Sequence, residues 1–339
     1  MNNKGFAISG MLYSILILFL ILIMSILATL GARKLILDKT KNDVINDIIS
    51  ETNKEQLAAY KIINDHSGTA NFAADTKNTA VNANLAYTSK YYFKGSNPNN
   101  YIQFAGVCWR IVSISHNNTI KIIYENNTCS PTTTSGRVNS NQKWSNTAQN
   151  NWYSSDTALR LLLETYANSG NLTAFTISST NLAKVNNATW YVGSLYYDTK
   201  YSLYENINQE RAEQGKTNLP ALVDKEATEY TWQNKIGLLS PSEFVKASSS
   251  ALCYNTYTSF ASANCKTDNY LFKAYDWWTL NVNSNTTNLA WFNRKTEANV
   301  GDLTVGTVTN PLSVRPVLYL NNNVNITGKG TPSNPYVVS

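Results

Sequence analysis

Residues able to do chemistry are few in this chain of 339 residues, which holds four cysteines and two histidines. Cys108, Cys129, Cys253 and Cys265 can pair as disulfides, ligate a metal as thiolates or act as nucleophiles. Cys108 and Cys129 fall on opposite arms of an expected hairpin, a separation that a covalent bridge can span. Cys253 and Cys265 enclose a short Ser/Thr/Tyr/Asn loop and form the second expected pair. Four cysteines allow three connectivities, of which sequential pairing is favoured here. Their spacings match no zinc signature, and free thiols would be the alternative in a reducing compartment. His66 and His116 read as surface or turn residues. Asp268, Asp276, Glu297 and Asp302 are scattered, which argues against a calcium cage. No nucleophile–base–acid constellation stands out, so the expectation is a non-enzyme without catalytic residues, metal or cofactor.

Charge narrows the classes further. Twenty-eight Lys and Arg against 22 Asp and Glu give a net charge of +6, spread without a block of like sign. Nucleic-acid binders concentrate basic residues on a face or tail, so no nucleic-acid partner is expected. Charged residues make up only 15%, and about one residue in seven is Asn. Aromatic content of 12%, with 21 Tyr and 8 Trp, argues for a packed core rather than disorder.

The elements that position these residues begin with residues 5–32, which carry no charge. A membrane-crossing helix needs roughly 20 mostly apolar residues. Cleaved signal peptides have apolar regions of about 7–15, so a retained anchor over residues 1–32 is expected. Arg33, Lys34, Lys39 and Lys41 follow the span, and the positive-inside rule alone would keep the bulk of the chain in the cytoplasm. The disulfide reading and the Asn-rich composition favour the opposite orientation: single-pass in the cell membrane, with the C-terminal domain extracellular. Residues 33–66, with apolar positions near helical spacing, predict an amphipathic stalk helix, and 67–339 a globular ectodomain. Lys4-Gly5-Phe6 before an apolar helix resembles a type IV prepilin, which implies processing between Gly5 and Phe6 and self-association through the N-terminal helix. The Glu of that family would fall at Gly10, which argues against filament assembly.

Within the ectodomain, residues 101–115 and 120–124 predict strands joined by an Asn-Asn turn. Residues 156–166 predict a helix with Leu159, Leu162, Leu163 and Tyr166 on one face, ended at Asn168-Ser169-Gly170. Ser240-Pro241-Ser242-Glu243 predicts a capped helix start. Residues 206–225 read as a charged surface excursion. Many short strands with few helices indicate an α+β domain. Trp109, Trp277 and Trp278 read as core aromatics, and Arg110, Arg315 and Pro316 as structural, with both arginines near a carboxylate or carbonyls.

Three groups of motifs resemble one bacterial surface-protein family, over roughly residues 88–339. They are Lys90 to Gly95 with Asn99 to Val112; Leu239 to Phe244 with Trp278-Thr279-Leu280; and Val314 to Leu320 with Gly328 to Val337. This family is similar to the formylglycine-generating-enzyme branch of the C-type lectin fold. The oxidase members use a copper-binding cysteine pair near the domain's end, which this chain lacks after Cys265. The resemblance therefore implies a binding or adhesion module for an extracellular protein or glycan. Its ligand face would lie over residues 281–294, with Asn281, Asn283, Asn285, Asn288, Trp291, Asn293 and Arg294 as contacts.

Overall fold

The computed structural model describes residues 4–75, 89–132, 134–195, 231–250, 268–283, 286–295 and 302–339. Helix α1 runs from Lys4 to Gln56, 53 residues without a proline, so it spans roughly 80 Å at the usual rise. Its segment Leu12–Lys41 is long and apolar enough to cross a membrane and has none of its surface buried. Gly5 and Phe6 lie within this helix.

The chain divides into two units, Met1–Gln56 and Leu57–Ser339. The helical pattern breaks at Leu57, which takes an extended backbone and bridges to Asn325. The Ala58 N–H donates to Val324 O at 2.9 Å. Helix α2, Ala58–His66, then buries Ala58, Ala59, Ile62 and His66. No glycine or proline marks this break; tertiary capture of the Leu57 backbone makes it.

The head is α+β, with mostly strands. In chain order they are β1 Phe72–Ala74, β2 Ser89–Phe93, β3 Tyr101–Phe104, β4 Val107–Ser115, β5 Ile120–Asn126 and β6 Asn139–Gln142. Helices α3 Ala158–Ser169 and α4 Ser179–Leu182 follow, then β7 Ala188–Tyr191, β8 Ser194–Leu195, β9 Thr231–Asn234 and β10 Ile236–Gly237. After α5, Pro241–Lys246, come β11 Trp277–Asn283, β12 Leu289–Arg294, β13 Asp302–Thr307, β14 Leu312–Val314, β15 Val317–Leu320, β16 Ile326–Thr327 and β17 Tyr336–Val338.

Local signals explain much of this. The β4–β5 turn places Asn118 at φ +64°, a conformation Asn tolerates. Residues 101–115, expected as one strand, instead form the β3–β4 hairpin. Ala105 and Gly106 sit at φ 53° and 78°, as a mirror-image two-residue turn requires. Helix α3 ends where Gly170, at φ 69°, donates its N–H to Tyr166 O. At α5 the Ser240 side chain accepts from Glu243 N–H while the Glu243 carboxylate accepts from Ser240 N–H.

Two larger sheets result. One contains nine strands, with the path β10-β15-β5-β4-β3-β17-β16 and β1 and β2 alongside; the other has six, β13-β12-β11-β14-β6 with β8 on β11. Strands β7 and β9 form a separate pair. The chain crosses from the six-stranded to the nine-stranded sheet at Arg315-Pro316, between β14 and β15. Pro316 has no N–H to offer a ladder, and its carbonyl accepts from Tyr124 N–H at 3.0 Å. One continuous apolar core draws on both sheets and on α2, α3 and α5.

Candidate functional site

The stretch expected as a ligand face forms β11, β12 and their connection, and most of it points inward. Asn281, Asn283, Trp291 and Asn293 are 0%, 2%, 0% and 0% exposed, so these four do not present a contact surface. Asn288 is half-buried, Arg294 is exposed, and Asn285 lies outside the described residues. The physical reason is that β11 is covered on both faces. Trp277 and Trp278 are consecutive, so they leave opposite sides of the strand, and both are fully buried. The Asn281 amide serves the fold instead. Asn281 Nδ2 donates to Tyr191 O at 3.3 Å and Gly193 O at 3.0 Å. Asn150 Nδ2 lies within 2.9–3.2 Å of the Asn283, Thr286 and Leu289 carbonyls, clasping the β11–β12 connection. At the surface of this region, Thr287, Arg294 and Lys295 remain exposed.

Chemistry-bearing side chains instead meet inside the head, where the chain changes sheets. Glu125 on β5, Lys273 before β11 and Arg315 after β14 are each at most 1% exposed. Lys273 Nζ sits 2.8 Å from Glu125 Oε1 and 2.6 Å from Thr132 O. Arg315 Nη2 lies 3.7 Å from Glu125 Oε2, and Nη1 donates to Leu271 O at 2.8 Å. The Arg315 guanidinium also stands 4.8 Å from the centre of the Trp277 ring. Burial pushes the Lys273 amine down to about 7; Arg315 adds to the fall, and Glu125 opposes it.

Arg110, on β4, is held between aromatic faces, 3.8 Å from the Tyr101 ring centre and 4.9 Å from that of Tyr270. It donates to Asn100 Oδ1 at 2.5 Å and to Pro98 O at 3.1 Å. Burial lowers its affinity for a proton, against the pull of Glu125. The head holds two further ion pairs: Lys121 with Glu243, and Lys246 with Asp75 at 2.8 Å. These ammonium and carboxylate groups hold distant segments together; Lys246–Asp75 and Lys273–Glu125 are buried, while Glu243 keeps part of its side chain in solvent. Trp109 and Trp278 are fully buried, as Trp277 is. Among the described residues no group of three His, Cys, Asp or Glu could hold a metal ion.

Cys108 and Cys129 form a disulfide with a Cα–Cα distance of 5.1 Å, closing the open end of the β4–β5 hairpin. Cys253 and Cys265 lie outside the described residues, as do 206–225.

His66 departs from the surface role expected of it. It is buried against Phe93, with ring centres 4.9 Å apart, and its Nε2 lies 3.1 Å from the Tyr336 hydroxyl. That hydroxyl donates to Asp65 Oδ2 at 2.8 Å, and Asp65 also pairs with Lys61. Burial lowers the His66 pKa from the ordinary 6.5, more than Asp65 raises it. The unfolded chain therefore takes up a proton at higher pH than the folded one. The stability linked to His66 is whole above pH 6.5 and falls as the pH drops from 6.5 towards the lowered folded value. Urea midpoints taken at about pH 7.5 and about pH 5 should therefore move apart in the wild type and draw closer in His66→Phe. An unchanged gap in the variant would assign the acid sensitivity elsewhere.

No family model matches the chain, and no curated protein or solved structure does.

Proposed function

We propose that this protein is a membrane-anchored, surface-displayed binding or adhesion protein, with α1 as the anchor and the head outside the cell. The observation that carries this reading is the pairing of a membrane-length apolar helix with a disulfide in the unit that follows it. Disulfides persist in oxidising surroundings and are rare in the cytosol, so the Cys108–Cys129 bond favours export of the head. Long domains translocate despite basic residues beside the span.

A C-type-lectin-like head is what the motif groups imply, and residues of the second and third groups share one packing partner. Arg110 of the first lies against Tyr270, Phe244 of the second packs edge-on to Trp277 at 5.7 Å, and Arg315 of the third stacks on that same ring. Binding then falls to exposed groups such as Arg294, Lys295 and Thr287, whose donors suit an extracellular protein or glycan. A pilin-like subunit cleaved after Gly5 is a second reading, favoured by the unbroken length of α1.

Protease added to intact cells should digest the head, and non-reducing peptide mapping should recover Cys108 linked to Cys129. A head that survives on intact cells and is cut only after lysis would reverse the orientation. Intact mass of the purified protein separates the two readings: an N-terminus beginning at Phe6 selects the pilin-like one, and an uncut one removes it.

A further inference from the structure

The interior beside Trp277 holds more positive charge and more unused donors than its neighbours answer. Arg110 and Arg315, both buried cations, and Lys273, whose amine is held down to about 7 and so adds part of a third charge, act on one buried carboxylate, Glu125. Burying a charge costs several kcal/mol unless an opposite charge and hydrogen bonds compensate it. Beside this excess, Trp277 Nε1, Arg315 Nε and both amide atoms of Asn293 have no hydrogen-bond partner among the described residues. A buried donor left unsatisfied costs about 1–3 kcal/mol, so several together call for an occupant.

These groups are neighbours. Trp277 and Asn293 are directly opposite in the β11–β12 ladder, so their side chains leave the same face of the sheet. The Arg315 guanidinium stacks on the Trp277 ring itself. Water can satisfy donors one by one, but it leaves the excess charge in place. A halide answers both demands: it carries one negative charge and accepts hydrogen bonds from any direction. Trp277, Asn293 and Arg315 are all fully buried, so an occupant gives up its hydration shell, which costs less for a monovalent ion than for a multiply charged phosphate.

We propose that this cluster is a binding site for a small monovalent anion, chloride, held by Trp277 Nε1–H, Arg315 Nε–H and Asn293 Nδ2–H. The Asn293 amide turns its Nδ2 towards the ion, and Arg110 and Lys273 supply the favourable field. The ion would be structural, locking the hairpin of β11 and β12 to the crossing at Arg315.

The test uses the full chain in detergent, exchanged into sodium gluconate, with chloride or bromide titrated in at constant ionic strength. The melting temperature should rise and saturate with either halide and stay flat with gluconate. Trp277→Phe keeps the ring and removes one donor, so the midpoint of that rise should move at least about tenfold higher. Asn293→Asp, which sets a carboxylate against the anion, should abolish it. Where either variant fails to fold, crystals of the wild type grown in bromide decide through an anomalous peak within hydrogen-bond reach of Trp277 Nε1. Equal melting in chloride and gluconate, an unchanged midpoint in Trp277→Phe, or bromide crystals without that peak would overturn the proposal.

Discussion

Glu125→Ala should lower folding stability by about 3–5 kcal/mol, the largest single-residue loss expected in the head. The carboxylate lies 2.8 Å from Lys273 Nζ and 3.7 Å from Arg315 Nη2, and all three side chains are at most 1% exposed. Removing it leaves the buried Arg315 charge without its counter-ion and forces Lys273 to lose its proton or its partner, and that desolvation dominates over the lost volume. Glu125→Gln keeps the shape and discards only the charge, so it should be nearly as damaging. The pair Glu125→Leu with Lys273→Met tests the cause. Replacing both members of an ion pair by apolar residues leaves fewer uncompensated charges, so the double variant should be more stable than Glu125→Ala alone. Urea unfolding of the full chain in detergent, followed by tryptophan fluorescence, measures all of these. Losses of Glu125→Leu and Lys273→Met made singly that add up to the loss of the double variant would show that packing, not charge pairing, holds this region.

Breaking the disulfide comes next in size. Cys108 and Cys129 are separated by 21 positions, and releasing a loop of that length returns about 3 kcal/mol of chain entropy to the unfolded state. Both sulfurs are buried, next to Tyr101, so two new polar hydroxyls in Cys108→Ser with Cys129→Ser add to the loss. Alanine at both positions should therefore be milder than serine. Reduction of the wild type should lower its melting temperature in the same direction as the alanine pair, and the reductant should have little further effect on that pair if this bond is the one broken. A melting temperature indifferent to both treatments would mean that the β4–β5 ladder alone fixes the hairpin.

How much of this was legible beforehand depends on how local each signal is. The capping box at Ser240 and Glu243, the Gly170 helix stop and the Asn118 turn each rest on contacts among residues a few positions apart. The same holds for the apolar run in α1, where length and composition are the whole argument. The Ala105-Gly106 turn was half visible, since Gly106 signals positive φ while Ala105 does not.

The inner face of β11 and β12 shows where local reading stops. Asn281, Asn283 and Asn293 look like surface residues by type, and an Asn-rich stretch resembles a contact loop. The consecutive Trp277-Trp278 was the available hint that both faces of this strand are covered. Likewise Glu125 lies near the end of β5, and nothing nearby announces that its partner Lys273 stands 148 positions away.

Composition and periodicity thus suffice for the membrane-length helix, the α+β character of the head and the Cys108–Cys129 hairpin, because sterics, capping and apolar patterning act within a few residues. Which polar side chains lie inside, where α1 gives way at Leu57, and which charges share Glu125 came only with the folded head. Burial and desolvation depend on what the rest of the chain places against a residue, and that is a property of the packing and not of the residue.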